Sequence, residues 1–530
     1  MRSSRLSFRC LLAAWFFIAA AIVPARADEP PAAPTGPAPA GALQDFDERV
    51  DKLLKPLFDE QVIAALAVGV IDGRASLPGA GSAAGLPPAA EDRDPARMAR
   101  FGGAATRWFF YGHVDDAGQR VPDRQTLFEI GSVSKTFTAL LLADMVVRGE
   151  LSLDDPVQKF LPADVPMKSR DGQPITLVQL ATHTSGLPRM PSNFSPADLA
   201  NPYADYDEQH LYEYFRKARR LREPGGKPVY SNLGMGLLGH ALAQAAGKSY
   251  EEMIEERICK PLAMTRTRVT LDNALRADLA QPHDGDGAAV KPWDLNALAG
   301  AGGIRSDVDD MLAYTAAHLG LVETPLKAAI ELVLTPRIKY DTGGGIALAW
   351  HILPNDKVIM HNGQTGGFHS IVALRPDLKL GVVVLASTAW QGVDVIGYGL
   401  LSMLEGRQPG ALPFRHAAKL ATPALERFVG KYRMTGIPAT MTIRRDGTRL
   451  FAQLTGQPEV RVYPASDTEL FYRVVEARME FASSSENNAD GPAATTKAGD
   501  APYGGFVLFQ NGQEVPAKRI EDQAPDASAE

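Results

Sequence analysis

Apolar residues along the chain change their spacing several times, and each change predicts an element. The Pro/Ala-rich segment DEPPAAPTGPAPAGA predicts an extended tether over 28–43. LQDFDERVDKLLKPLFDE then carries Phe46, Val50, Leu53 and Leu54 at helical spacing. AALAVGVID reads as a buried strand. The Gly/Ala/Pro-rich stretch over 73–104 reads as an irregular surface insertion, and RWFFYGHV as a second strand. Helical runs fill much of 133–320, notably KTFTALLLADMVVRGE and LGMGLLGHALAQAAG. Strands return at GIALAWHIL, KVIMH, FHSIVALRP and GVVVLAST, and a helix over 391–405 closes the region. Strands at both ends of a helical stretch predict one sheet that the two ends complete together, an α/β fold over 44–408.

After Pro409 the rhythm becomes short and alternating. KYRMT, TMTIRR, RLFAQL, VRVYP, ELFYRV, RMEFA, GFVLFQ and EVPAKRI are separated by turn signals such as RDGT and QNGQ. They predict a C-terminal all-β barrel domain over 410–525, interrupted by a polar loop over 483–503.

The N-terminus changes the picture of where the chain works. Arg2, Arg5 and Arg9 precede the apolar run CLLAAWFFIAAAIV, and Ala25-Arg26-Ala27 follows with small residues at the cleavage spacing. That is the pattern of an export signal over 1–27, too short for a stable membrane span, and it predicts a periplasmic protein. Its removal takes away four arginines and no acid, moving the formal charge from −7 to −11. An acidic chain of this kind excludes a nucleic-acid partner, whose backbone demands clustered Lys and Arg. Removal also takes Cys10, leaving Cys259 alone and without an internal disulfide partner. In EEMIEERICKPL that cysteine reads as a packing residue. No HExxH or CxxC occurs and the histidines are scattered, so neither a metal nor another cofactor is expected.

Three short motifs carry the chemistry. GSVSKTFTALLLADM places Ser132 and Lys135 one helical turn apart on one face. A serine hydroxyl is a weak nucleophile, and a neighbouring lysine that can be neutral activates it. By itself the spacing also suits a helix cap beside a solvated lysine. PGGKPVYSNLGMG puts Tyr230 and Asn232 just ahead of a helix. Beside a lysine, the phenol can serve as base or proton shuttle, and the amide can hold a substrate amide. KVIMHNGQTGGFHSIVAL ends one strand on His361, Asn362, Gly363 and Gln364 and begins another, with glycines that admit a close ligand.

SxxK followed by YxN and a Lys/His-x-Gly turn is the signature of β-lactamases and penicillin-binding proteins. Over roughly 45–405 the chain resembles the class C-like branch of that group. QTLFEIGSVSKTFTALLLADMV, ITLVQLATHTSGLP, AGAGGIRSDVDDM and HNGQTGGFHS carry the likeness. The resemblance implies a β-lactamase/transpeptidase-like sheet with a helical region, and an acyl-enzyme on Ser132 with Lys135 as its base partner. Tyr230 would shuttle the proton, Asn232 would bind the substrate amide, and the N–H groups of Ser132 and Gln364 would form an oxyanion hole. The substrate would be a β-lactam or a peptidoglycan-type D-Ala peptide. An esterase of the same fold and a non-catalytic penicillin sensor are the alternatives.

His361 and Asn362 stand where class C β-lactamases have Lys and Thr, which puts strong β-lactamase activity in doubt. His361 either serves as a marginally charged carboxylate anchor or stays neutral and packs. By the same resemblance His183 is a structural turn residue, and Trp350 and Tyr340 wall the cleft. The C-terminal module is similar to the lipocalin-like domains of some members. Packing or homo-oligomer contact is its expected role, ligand binding the lesser one.

Overall fold

The computed structural model describes residues 45–76, 85–86, 94–167, 172–218, 222–355, 357–482, 501–510 and 512–520. The export signal, the Pro/Ala tether and most of the loop over 483–503 lie outside the described residues.

An eight-stranded sheet forms the first domain. Its long strands are β1 (Ala65–Asp72) and β2 (Ala105–Gly112); a separate small pair joins β3 (Phe128–Glu129) to β4 (Arg305–Ser306). The sheet continues with β5 (Ile338–Lys339), β6 (Gly345–Ile346), β7 (His351–Ile352), β8 (Ile359–Gln364), β9 (His369–Arg375) and β10 (Leu380–Ala386). The order is β2-β1-β10-β9-β8-β7-β6-β5, so the first strand lies directly against the last. Val68 faces Val384 across that pair. The two ends of the domain therefore do complete one sheet, as the pattern predicted.

Every residue of β1, β9 and β10 is buried, because both faces are covered. Leu66, Val68 and Val70 point toward the helices Phe46–Asp59 and Gly392–Leu404, while Ala65, Ala67 and Ile71 point into the large helical core. Burial on both faces explains an uninterrupted apolar run in an antiparallel strand, where alternation is the usual pattern. A Cβ at Gly69 would lie 2.7 Å from Leu312, so the helix Val308–His318 can pack this closely only over a glycine.

Within the helical core the helix Ser134–Val147 is buried from Ser134 to Met145, as expected of a helix apolar all round. The helix Asn232–Ala246 starts on Ser231, whose Oγ accepts the Gly234 N–H at 2.8 Å, and stops at Gly247 in the left-handed region (φ 64°). One expected strand is broken. GIALAWHIL forms β6 and β7 joined by a tight turn, with Ala349 at φ 60° and Ala347 N–H donating to Trp350 O. Alternation in the sequence could not reveal that reversal, because the turn itself is made of apolar residues.

The C-terminal domain is a closed barrel. Its strands are β11 (Gly430–Met434), β12 (Thr440–Asp446), β13 (Arg449–Leu454), β14 (Val460–Pro464), β15 (Glu469–Phe471), β16 (Ala477–Ala482), β17 (Gly505–Gln510) and β18 (Gln513–Ile520). β18 returns to pair with β11. Tyr432, Met479, Phe481, Leu470 and Phe506 fill the interior, as an eight-stranded barrel permits. The barrel docks on the sheet domain through Glu60, whose carboxylate accepts from Arg473 Nη2 at 2.9 Å and from Ala417 N–H at 3.0 Å.

Candidate active site

Ser132 sits in a single 3-10 turn, Gly131–Val133, that feeds the buried helix. Three bonds fix this turn. Ile130 N–H donates to Ile304 O, Ser370 Oγ donates to Ile130 O, and Ile304 N–H donates to Ser134 Oγ. Gly131 takes φ 49°, and a Cβ there would lie 2.6 Å from the Gln364 nitrogen. A Cβ on Gly363 would come within 2.0 Å of Ile130 O and 2.7 Å of Ser132 N. The edge of β8 is thus pressed against the serine turn, backbone on backbone, and only glycines allow it.

Lys135 is fully buried. Its Nζ lies 2.8 Å from Ser132 Oγ and donates to Ala301 O at 2.5 Å. Among the described residues no carboxylate bonds to it. Burial, and secondarily the charge of Arg189, holds its pKa well below that of a free lysine. The ammonium form loses its hydration here and gains no counter-ion among the described residues, which favours the neutral amine.

Tyr230 closes the other side. Its hydroxyl bonds to Ser132, and its pKa is pushed up to about 12, by burial above all, with that bond and Arg189 opposing. Lys135 Nζ lies 4.8 Å from its ring centre. Lys135 and Tyr230 therefore flank the serine, the amine with a lowered pKa and the phenol with a raised one. His183 braces this residue. It is held at φ 60°, its Nδ1 accepts the Ser231 N–H at 3.2 Å, and its ring centre is 4.5 Å from that of Tyr230. The turn-residue expectation for His183 thus has a physical basis.

Asn232 begins the following helix, and its Oδ1 is buried without a partner. His361 is fully buried, with Nδ1 bonded at 2.5 Å to Asn362 O, which puts its proton on Nδ1. Burial, then His351 and Lys135, keep its pKa well below the usual imidazole value. Of the two roles left open for His361, the geometry supports the neutral one. Asn362 departs from expectation. Adjacent residues of a strand face opposite ways, and its amide donates to Asp394 at 2.6 Å on the far side of the sheet. Its side chain is therefore not brought into the cluster. Gln364 is exposed at the end of β8. Trp350 is a correction too: it is wholly buried against His318 and lines no cleft. Tyr340 remains exposed.

Sequence reasoning missed three participants. Ala301 offers only a backbone carbonyl, although the AGAGG run was a signal of close approach. His351 stacks 5.1 Å from His361 and 6.5 Å from Tyr230, and nothing in its local sequence marks it. Arg189 lies 5.2 Å from the Tyr230 ring centre. Among the described residues no group of His, Cys, Asp or Glu could hold a metal, and no helix is long and apolar enough to cross a membrane.

Comparison with known proteins agrees with this geometry. The family model described as Beta-lactamase matches residues 50–395, and a domain of unknown function, DUF3471, matches 415–496. A Beta-lactamase of Pseudomonas fluorescens is 27% identical over 399 residues, covering 68% of this chain and 99% of the relative. The D-alanyl-D-alanine-carboxypeptidase/endopeptidase AmpH of Escherichia coli K12 is 28% identical, covering 57% of this chain and 83% of its own length. Among solved structures, the D-alanine carboxypeptidase AmpC of Burkholderia cenocepacia superposes with a TM-score of 0.54 at 27% identity, over 68% of this chain and 99% of that one. A class C β-lactamase gives 0.55 at 25% identity, over 69% and 98%.

Proposed function

The chain belongs to the β-lactamase family and is a serine hydrolase, and from that premise we propose that Ser132 forms an acyl-enzyme with β-lactams or D-Ala-containing peptides and then releases it to water. The observation that carries this reading is the 2.8 Å contact of Ser132 Oγ with a buried lysine that has no counter-ion. Lys135 takes the hydroxyl proton as Oγ attacks the substrate carbonyl. The carbonyl oxygen gathers charge beside the N–H groups of Ser132 and Gln364, where each such donor contributes about 3 kcal/mol. Tyr230 then gives its proton to the departing nitrogen and regains it from Lys135, which restores the neutral pair. The orphaned Oδ1 of Asn232 accepts a substrate N–H. Water attacks the acyl-enzyme along the same proton path in reverse. The export pattern at the N-terminus makes the periplasm the place where these substrates are met.

One observation favours a second reading. The histidine in the lysine position is neutral, so a substrate without a carboxylate loses nothing there, and esters become competent acyl donors. Steady-state hydrolysis of a penicillin, a D-Ala-D-Ala peptide and a neutral p-nitrophenyl ester separates the two. The amide-hydrolase reading predicts turnover of the penicillin or the peptide. Turnover of the ester alone would make the protein an esterase.

A further inference from the structure

The site contains a cation that no described acid neutralises. Lys135 is wholly buried with its pKa held well below that of a free lysine, and burial keeps His183, His351 and His361 below the usual imidazole pKa. Arg189 remains. Its side chain is exposed and makes no ion pair among the described residues, while its guanidinium carbon lies 5.2 Å from the Tyr230 ring centre. Its backbone is anchored by the helix start that bears the other site residues. Arg189 O accepts the N–H groups of Asn232 at 3.0 Å and Leu233 at 3.2 Å, and Pro188 O accepts Ser231 Oγ at 2.7 Å. The arginine is therefore delivered to the mouth of the site by the same rigid junction that sets Tyr230 and Asn232.

We propose that Arg189 is a specificity-determining residue, the anchor for a carboxylate carried by the acyl donor, and that it stands in for the lysine that β8 lacks. The proposal rests on the reading of Ser132 as the acylated residue. A guanidinium presents a planar fork that matches a carboxylate with two parallel hydrogen bonds, and the face of Tyr230 beneath it limits the orientations it can take. A solvated arginine that merely covers a phenol would give only a weak cation–π attraction. Its lack of an acid partner among the described residues, at the exposed mouth of the site, points to a ligand that brings the anion. The anchor also changes sides. A lysine in place of His361 would hold the carboxylate at the edge of β8, whereas Arg189 holds it from the loop bonded to the Ser231–Leu233 helix start. The favoured substrates are thus acyl donors whose anionic group reaches back over the Tyr230–Asn232 junction.

The test uses two p-nitrophenyl esters of equal length and the same scissile bond, the adipyl half-ester with a free carboxylate and the neutral hexanoyl ester. They are assayed on the full chain and on Arg189→Gln, Arg189→Lys and Arg189→Glu. Losing a charge-assisted contact should raise KM for the adipyl ester by about ten- to a hundredfold relative to the hexanoyl ester in Arg189→Gln. Arg189→Lys should keep most of the preference, and Arg189→Glu should reverse it. Equal shifts of KM for both esters, or no preference in the wild type, would overturn the assignment. Labelling of Ser132 by a neutral fluorophosphonate is followed alongside. A wild type that is neither labelled nor active on either ester overturns the acyl-enzyme reading and the anchor with it. Labelling with unchanged relative KM values overturns the anchor alone.

Discussion

The surroundings of Ser132 and the interior of the barrel handle polar groups in opposite ways. Inside the barrel, Tyr432, Met479, Phe481, Leu470, Tyr503 and Phe506 form one core, and its two fully buried phenols are satisfied, Tyr432 Oη donating to Phe428 O at 2.8 Å and Tyr503 Oη to Asp467 O. Around Ser132, His183 Nε2, His351 Nε2, His361 Nε2 and Asn232 Oδ1 are buried with no partner, and a lysine is buried with no counter-ion. A buried polar atom without a partner costs about 1–3 kcal/mol. The barrel avoids that cost, whereas the serine site accepts it in a cleft where a bound substrate can supply partners. One region is built to be stable and the other to be completed by a ligand.

The comparison can be broken most severely at the site's own proton path. Lys135→Ala and Tyr230→Phe should each lower the acylation rate by at least about a hundredfold, the usual scale for a positioned acid–base group, as measured by stopped-flow labelling. A Tyr230→Phe variant that reacts like the wild type would remove the phenol from the mechanism. Gly363→Ala comes next. The added Cβ meets Ile130 O and Ser132 N, so the serine turn must shift. Displacements of this size cost about a hundredfold in rate. Unaltered acylation in a folded Gly363→Ala protein would mean that the tight contact of β8 with the serine turn is not needed.

Stability should move the other way. Lys135→Met removes a buried amine whose folded pKa lies below its unfolded value, so the unfolded chain binds more protons over that interval. Wild-type stability is lost as pH falls from about 10.4, the unfolded value, toward the folded one. The variant should therefore gain on the wild type in melting temperature as pH drops below about 10. A constant or shrinking margin in calorimetry would contradict the lowered pKa of Lys135.

The smallest catalytic effect is expected from the barrel. A chain ending near Arg407 should keep acylation within about tenfold, since among the described residues none of the barrel reaches Ser132 and the domain meets the sheet domain at Glu60 and near Gly285. Removing the Glu60 carboxylate, by Glu60→Ala, breaks its bonds to Arg473, Ala417 and His416 together and should cost about 3 kcal/mol of stability while leaving labelling of Ser132 in place. Loss of labelling in a folded truncated protein would show that the barrel helps to shape the site.

How much of this was legible beforehand follows from what kind of signal each feature leaves. Period and turn chemistry gave the sheet with its first and last strands together, and they gave the eight runs that close into the barrel. Ser132, Lys135, Tyr230 and Asn232 were singled out by the order of three short motifs and by family resemblance, and the fold brings them together. Asn362 misled because motif position says nothing about which face of β8 a side chain occupies, and the pleat turns it to Asp394. Trp350 misled because the turn at Ala349 directs it into the core. Ala301 acts through a carbonyl that any residue would supply. His351 and Arg189 reach Tyr230 only through tertiary packing, for which one sequence holds no local mark.

The central claim is that Ser132 is acylated, and the most direct measurement is intact-mass spectrometry over time with a fluorescent penicillin and, in parallel, a fluorophosphonate. The account predicts a single adduct that maps after digestion to the peptide containing Ser132 and is absent from Ser132→Ala. The penicilloyl mass should clear as water completes the cycle. An adduct that persists in Ser132→Ala, or that maps to Ser134 or Ser185, would contradict it.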